Sequence, residues 1–382
     1  METTHGTLKP ITVLGGIRTP FVKAFGAFDS LQADSLGTDV LTGALSRLQI
    51  APDRIDEVVF GNVATPVHAA NISRVIAIGS GIPQNRPAHT VSRNCASGME
   101  AIVGAWHAIN EGRANIVAAG GVESMSNIPF QFSKEFQQWM LEWRRLKGFD
   151  QVKHLATFRP SMLKPVVALQ VGLTDPTCGL NMGETAEILA EEFEVSREEQ
   201  DMFALESHQK VTAAWERGFF KGEVIPVTAG KTIVEQDNGF RAKQSLEALA
   251  KLRPVFKKNG SVTAGNSSQL TDGASTLIVA TEEEARKFEL TPLGTIHAYA
   301  VAGLDPRRMG LGPVYAIHRL LEKTGKSLSD FDLFEINEAF AAQVLACLKA
   351  MSSDSFCQTH LGRSKAIGEI PRDRLNVNGG AI

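Results

Sequence analysis

Cysteine is scarce and scattered. Cys95, Cys178, Cys347 and Cys357 are the four in 382 residues, and no two form a CxxC pair. That spacing argues against a zinc site or a disulfide scaffold, so no bound metal is expected and a reduced, intracellular setting follows. No apolar run approaches the roughly 20 residues that a bilayer-spanning helix needs. Met1 to Pro10 has no apolar h-region and no Arg-rich amphipathic pattern, so no leader is read there and the cytoplasm is the expected compartment. The formal charge is only −3, which excludes a global field that would recruit nucleic acid or an anionic surface. There is no GxxxxGK[ST] phosphate loop and no convincing dinucleotide-binding fingerprint. Any anionic ligand must be held by a local patch.

What is present is ordinary for a globular chain: 43% hydrophobic and 21% charged residues, enough for two or three domains sharing a large core. The first part alternates strand and helix signals. ITVLGGI reads as a strand that ends at the Pro-marked RTPF loop. Leu36, Val40, Leu41, Ala44 and Leu48 recur with a helical period, and DEVVFGNV follows as a strand. A helix is expected from Ser73 to Ile78, then a strand at HTVSRN. CASGMEAIVGAWHAINEG then reads as a helix and ANIVAAGGVE as a strand. This alternation predicts an α/β layer architecture around a mostly parallel sheet.

A weak internal repeat suggests a duplication. Ile55 to Gly61 and Phe331 to Asn337 both follow an apolar helix and a short polar loop, and both read as an Asp-marked apolar strand. In that register NVNGGAI falls where TVSRNCA falls in the first half, so the expectation is that a helix and a strand lie beyond Ile382. Between the halves the pattern is irregular. Phe132, Phe136, Trp139, Met140, Trp143 and Leu146 form a helical stripe that ends in Arg144, Arg145 and Lys147. It reads either as a helix docked on its own protein or as a surface for a partner subunit or a membrane interface.

SRNCASGMEA carries the chemistry most clearly. Cys95 follows a strand and begins a helix, with the small residues Ala96, Ser97 and Gly98 clearing space around it. Unpaired amide N–H groups at a helix start favour an anionic sulfur and can receive a developing oxyanion. A cysteine in such a chain is otherwise a packing residue. Further stretches decide between the two. RTPF (Arg18 to Phe21), NCASGMEA around Cys95 and GGVESMS (Gly120 to Ser126) resemble the first half of the thiolase family. NMGETAE (Asn181 to Glu187), KLRPVF (Lys251 to Phe256) and TAGNSSQLTDGAS (Thr263 to Ser275) are similar to its middle. MGLGPV (Met309 to Val314), INEAFAAQ (Ile336 to Gln343) and the final NVNGGAI are similar to its second half. The long middle and LGRSKAIGEIPRDRLNV (Leu361 to Val377) look most like the type found in fatty-acid β-oxidation multienzymes.

The resemblance implies duplicated βαβαβαββ halves in five α-β-α-β-α layers with a long inserted loop domain. The N-terminal half would be 1–124 with 271–292, the insert 125–270 and the C-terminal half 293–382, incomplete as read. It implies thiolytic cleavage of 3-ketoacyl-CoA, or the reverse Claisen condensation, with coenzyme A as substrate and no permanently bound cofactor. Cys95 would be the nucleophile, and Asn337 would hold a water on the thioester oxygen. Ser268 would bond the pantetheine arm, with Ala264 and Gly265 lining its tunnel. Phe256, Phe340, Met182 and Met309 would wall the acyl and pantetheine site, and Arg241 would lie near the adenine or phosphate end. The family's proton carriers, a His in GHPxGxSG and a second Cys in CxGxG, are not found in these residues and are expected beyond Ile382. Homodimers or homotetramers, with a possible hydratase/dehydrogenase partner subunit and no nucleic acid, are the assemblies implied. A 3-ketoacyl synthase and a non-catalytic lipid-binding or structural subunit stay open as alternatives.

Overall fold

The computed structural model describes residues 9–382. All but the last two residues of the Met1 to Pro10 segment therefore lie outside the described residues. The chain separates into a large unit, Met1–Asn127 with Gly183–Ile382, and a small one, Ile128–Met182. The first half of the large unit follows the expected alternation. Strand β1 (Ile11–Arg18) leads to helix α1 (Ala33–Arg47), β2 (Glu57–Gly61) to α2 (Ile72–Gly79), and β3 (Ala88–Val91) to α3 (Ser97–Asn110) and β4 (Ile116–Ser124). After the long middle come β5 (Thr271–Ala280) and β6 (Gly294–Ile296).

These strands form a seven-stranded sheet in the order β6-β1-β5-β4-β2-β3, with the two-residue strand Val22–Lys23 paired off that path to β5. Strand β2 is parallel to both β3 and β4. Strand β5 is antiparallel to β4 and β1, and β6 to β1. Thus β1 to β4 run one way and the two later strands the other. A mostly parallel sheet accordingly describes the first four strands. The chain returns to the sheet from the long middle segment, not through a helical crossover, so β5 is free to enter reversed.

Alternation along each strand sorts the core into two layers. Val58, Phe60, Ile116 and Ala118 join Leu36, Val40, Leu41 and Ile76 of α1 and α2 on one face. Val59, Val117 and Ala119 join Ala101, Ala105 and Trp106 of α3 on the other. A separate cluster joins part of the expected insert to the second half. It is built from α4 (Met182–Glu192) and α5 (Arg197–Glu216) of the former with α6 (Gly312–Thr324), α7 (Ala341–Ser352) and α8 (Asp354–Leu361) of the latter. Here the expected strand from Phe331 to Asn337 reduces to one parallel bridge, Phe334 to Leu375. The cause is local: Asn376 adopts φ 44 and leaves the extended region just after that bridge.

In the small unit, the aromatic stripe begins just ahead of the helix Lys134–Arg145, which Ser133 caps by accepting the Phe136 N–H. Phe136 and Trp139 pack against Phe158, and Trp139 stacks on His154. Part of the stripe is therefore satisfied within its own unit, while Phe132 and Leu141 stay exposed. Among the described residues no helix is long and apolar enough to cross a membrane.

One close approach positions everything that follows. A Cβ on Gly61 would collide with the backbone of Ser97 and lie 2.6 Å from Gly98 N, and one on Gly121 would lie 3.2 Å from Gly98 Cα. The start of α3 thus rests directly on the backbones of β2 and β4, which only glycine permits. Backbone neighbours cannot rotate away, so Gly61→Ala should destabilise the fold by about 3 kcal/mol, the upper part of the overpacking range. Urea unfolding of the two chains measures this, and an unchanged midpoint would show that the helix start can move.

Candidate active site

Cys95 occupies a tight turn between β3 and α3. The Ala96 and Ser97 N–H groups donate to Arg93 O and Asn94 O, each at 3.0 Å, with Asn94 at φ 47. Ser97 Oγ accepts the Arg93 N–H at 2.8 Å and donates to Asn94 O at 2.6 Å. Arg93 Nε pairs with Glu100 Oε2 across the first helical turn at 2.7 Å. This closed set of bonds fixes the turn and leaves the Cys95 side chain exposed. Cys347 and Cys357 are buried. Burial pushes the Cys347 thiol up to about 12, and its Sγ–H donates to Gly310 O at 3.1 Å. Neither buried thiol is placed to attack a ligand.

Ser268 lies near the same edge of the sheet as the start of α3. Gly61 is the last residue of β2, so α3 begins at the carboxyl end of the parallel strands. Because β5 is reversed, its first residues lie at that same end: Thr271 pairs with Lys23, and Asp272 with Ser124. Ser268 precedes β5 by three residues. Ligands in α/β sheets bind outside this carboxyl edge.

The TAGNSS loop is tied down from below. Asn266 accepts the Thr263 N–H at 2.8 Å and donates to Asp201 Oδ1 at 3.0 Å and to Ser261 O at 3.1 Å. Gly265 packs directly against Leu249 and Leu252, whose side chains would have to shift to admit a Cβ. The loop then pairs with the INEAF segment: Ser268 N–H donates to Ala339 O, and Ala341 N–H to Asn266 O, both at 2.9 Å. Phe256 and Phe340 meet edge to face at 5.9 Å, with Gly183 flat beneath the Phe256 ring. Ala264, Ser268 and Asn337 are exposed around this junction, while Phe340 is buried. The structure thus brings Ala264, Gly265, Ser268, Phe256, Phe340 and Asn337 together. Met309 is half-buried in the 3₁₀ segment Pro306–Leu311, which Cys347 ties to α7 through Gly310 O. Met182 is half-buried at the end of the small unit.

Arg241 is exposed, and its backbone N–H donates to His208 Nδ1 of α5 at 3.3 Å. Burial, then the charges of Arg241 and Lys23, push His208 down to about 4. Burial and then Arg241 also hold Lys23 below the ordinary lysine range. Lys23 and Arg241 therefore form an electropositive corner around the neutral His208 imidazole at the sheet's carboxyl edge.

The other motifs serve as struts. Arg18 grips Asp237 with two bonds of 2.7 and 2.9 Å and also pairs with Glu223, which anchors the RTPF loop. Burial lifts Glu123 of GGVESMS above the ordinary carboxyl range, against bonds from Val63 N at 2.9 Å, Ala64 N at 3.2 Å and Asn62 Nδ2 at 2.9 Å. Ser126 of the same motif donates to Asp272.

The Thiolase, N-terminal domain family matches residues 11–283, and the Thiolase, C-terminal domain family matches 290–382. The chain belongs to the thiolase family. It is 38% identical over 376 residues to a 3-ketoacyl-CoA thiolase of Yersinia enterocolitica, covering 97% of this chain and 86% of that protein. The human mitochondrial 3-ketoacyl-CoA thiolase in complex with CoA superposes with a TM-score of 0.84 at 37% identity, over 98% of this chain and 86% of that one. The Bacillus anthracis acetyl-CoA acetyltransferase gives 0.84 at 36% identity, over 98% and 87%. The thiolase fold follows from these matches.

Three polar residues in this thiolase were not singled out from the sequence. Lys23 and His208 flank Arg241, and Glu338, beside Asn337, is buried with hydrogen bonds to distant segments. The only local signal was an acid following Asn337 inside an otherwise apolar run. The His208 environment sets a pH dependence. Between about pH 6.5 and pH 4 the unfolded chain takes up a proton that the native imidazole refuses. His208 thus makes native stability fall as pH drops through that window, and His208→Gln should flatten this part of the melting-temperature profile. Scanning fluorimetry from pH 4 to 7 tests it, and identical profiles would show that His208 titrates normally.

Proposed function

We propose that this chain cleaves 3-ketoacyl-CoA to acetyl-CoA and a shortened acyl-CoA through an acyl-Cys95 intermediate, or runs the reverse condensation. The observation that carries this reading is the exposed Cys95 sulfur at the start of a helix seated on the sheet's carboxyl edge. Sulfur attack on the C3 carbonyl forms a tetrahedral oxyanion. The C2–C3 bond then breaks, and its electrons leave on acetyl-CoA as an enolate that takes a proton at C2. The acyl group remains on Cys95. The thiol of a second CoA gives up its proton and attacks that thioester, and Cys95 departs as the leaving group.

Asn337 would hold the water that supports the thioester oxygen, while the Ala96 and Ser97 N–H groups stay committed to the turn. Ser268, Ala264 and Gly265 would contact the pantetheine arm. Phe256, Phe340 and Met309 would wall the acyl side, and Arg241 with Lys23 would meet the phosphates. On this reading 1–124 with 271–292 forms one half, 125–270 the insert and 293–382 the second half. The histidine and second cysteine implied by the family motifs do not occur in residues 1–382. The protein would work in the cytoplasm as a homodimer or homotetramer paired through edge strands of the first half. The place of β3 at the end of the sheet order supports that pairing.

Two measurements follow. Incubation with acyl-CoA should raise the intact mass by one acyl group on Cys95, and Cys95→Ser should abolish both that adduct and thiolysis. Turnover retained by Cys95→Ser would refute the mechanism. Light scattering should give at least twice the 41.2 kDa chain mass, and a monomer would refute the assembly.

A further inference from the structure

The proposed reaction makes no use of Glu338, yet its carboxyl is only 1% exposed and joins several distant segments. Oε2 accepts from Ser207 Oγ of α5 at 2.6 Å and from Ile382 N at 3.4 Å, while Oε1 accepts from Asn376 Nδ2 at 2.8 Å. Ser207 Oγ in turn accepts the Gly380 N–H at 3.1 Å. A Cβ on Gly380 would sit 2.5 Å from Glu338 Oε1, so the carboxyl fills the space that glycine leaves. Gly379 turns at φ 83, where a Cβ would lie 2.7 Å from Ser207 O.

The three donors on this carboxyl are uncharged. A buried acid held by neutral donors alone is expensive in desolvation, and a well-packed apolar residue would cost less. Its use must lie in geometry, and the bonds around Asn376 show which geometry. The Asn376 side chain accepts the Ile336 N–H and donates to the Ile336 carbonyl, both at 2.9 Å. Its Nδ2 also reaches Glu338 Oε1. Ile336 and Glu338 flank Asn337, and both are buried while Asn337 is exposed. One amide therefore clamps the residues on either side of Asn337, and Ser207 holds the clamp to α5.

We infer that Glu338 is a positioning residue that fixes the direction of the Asn337 side chain through Asn376 and Ser207. The inference rests on the reading that Asn337 supports the thioester oxygen. Glu338→Gln replaces one acceptor oxygen with an NH₂ group, which faces either the Asn376 Nδ2 donor or the Ile382 N–H whichever way the amide is turned. The clamp opens, but the Cys95 turn, held by its own bonds, does not change.

The test uses the full chain and follows Cys95 acylation from acyl-CoA in a single turnover, normalised to the sites alkylated by iodoacetamide. Misplacing a group that supports an oxyanion costs at least about tenfold in rate. Glu338→Gln should therefore slow acylation by about tenfold or more, with the Cys95 alkylation rate and the half-saturating acyl-CoA concentration unchanged. Combined with Asn337→Ala it should add little to the loss from Asn337→Ala alone. If Glu338→Gln fails to fold, Ser207→Ala removes a single donor and should show the same split with a smaller loss. A lower melting temperature with acylation within twofold of the parent overturns the inference. Asn337→Ala acylating at the parental rate overturns the reading beneath it, and the inference falls with it.

Discussion

Backbone-to-backbone contact between the start of α3 and two strands is the constraint on which the site depends. Most helices meet a sheet through side chains about 10 Å above it, which leaves the helix free to slide as those side chains repack. Gly61, Gly98 and Gly121 remove that cushion at one point. The helix start is then located by atoms that have no rotamers. Cys95 inherits this precision, because its turn is closed by bonds to Arg93, Asn94 and Ser97 and by no distant partner.

The TAGNSS loop and the second half are ordered by different means. They have little sheet of their own among the described residues, and their order near the site comes from buried amides and carboxyls. Asn266 and Asn376 both use their side chains as extra peptide groups, satisfying backbone atoms that no strand serves. Such networks are strong when complete and costly when one member is missing. Gly265 and Gly380 belong to the same design, since each leaves room for a neighbour that a methyl group would displace.

Much of the first half was legible in the sequence. Leu36, Val40, Leu41 and Ala44 showed the helical period and are all buried in α1, and the strand–helix alternation through β4 matches the reading. Cys95 was legible because small residues and a helix start are local signals. The direction of β5 was not, since it depends on the route of the chain through the long middle. Leu375 and Val377 alternate like a strand, but Asn376 between them turns left-handed to serve Ile336, and no local pattern announces that. Glu338 and His208 stayed hidden because their bonds span 131 and 33 residues.

Ser207 and His208 are neighbours on α5, yet one reaches Glu338 beside Asn337 and the other carries Arg241. On the proposed reading, two ends of a long ligand's track would thus be gauged from adjacent α-carbons, about 3.8 Å apart across a trans peptide. A rigid shift of α5 along its axis would carry both anchors together and leave their spacing unchanged, much as two marks engraved on one ruler stay true when the ruler is moved.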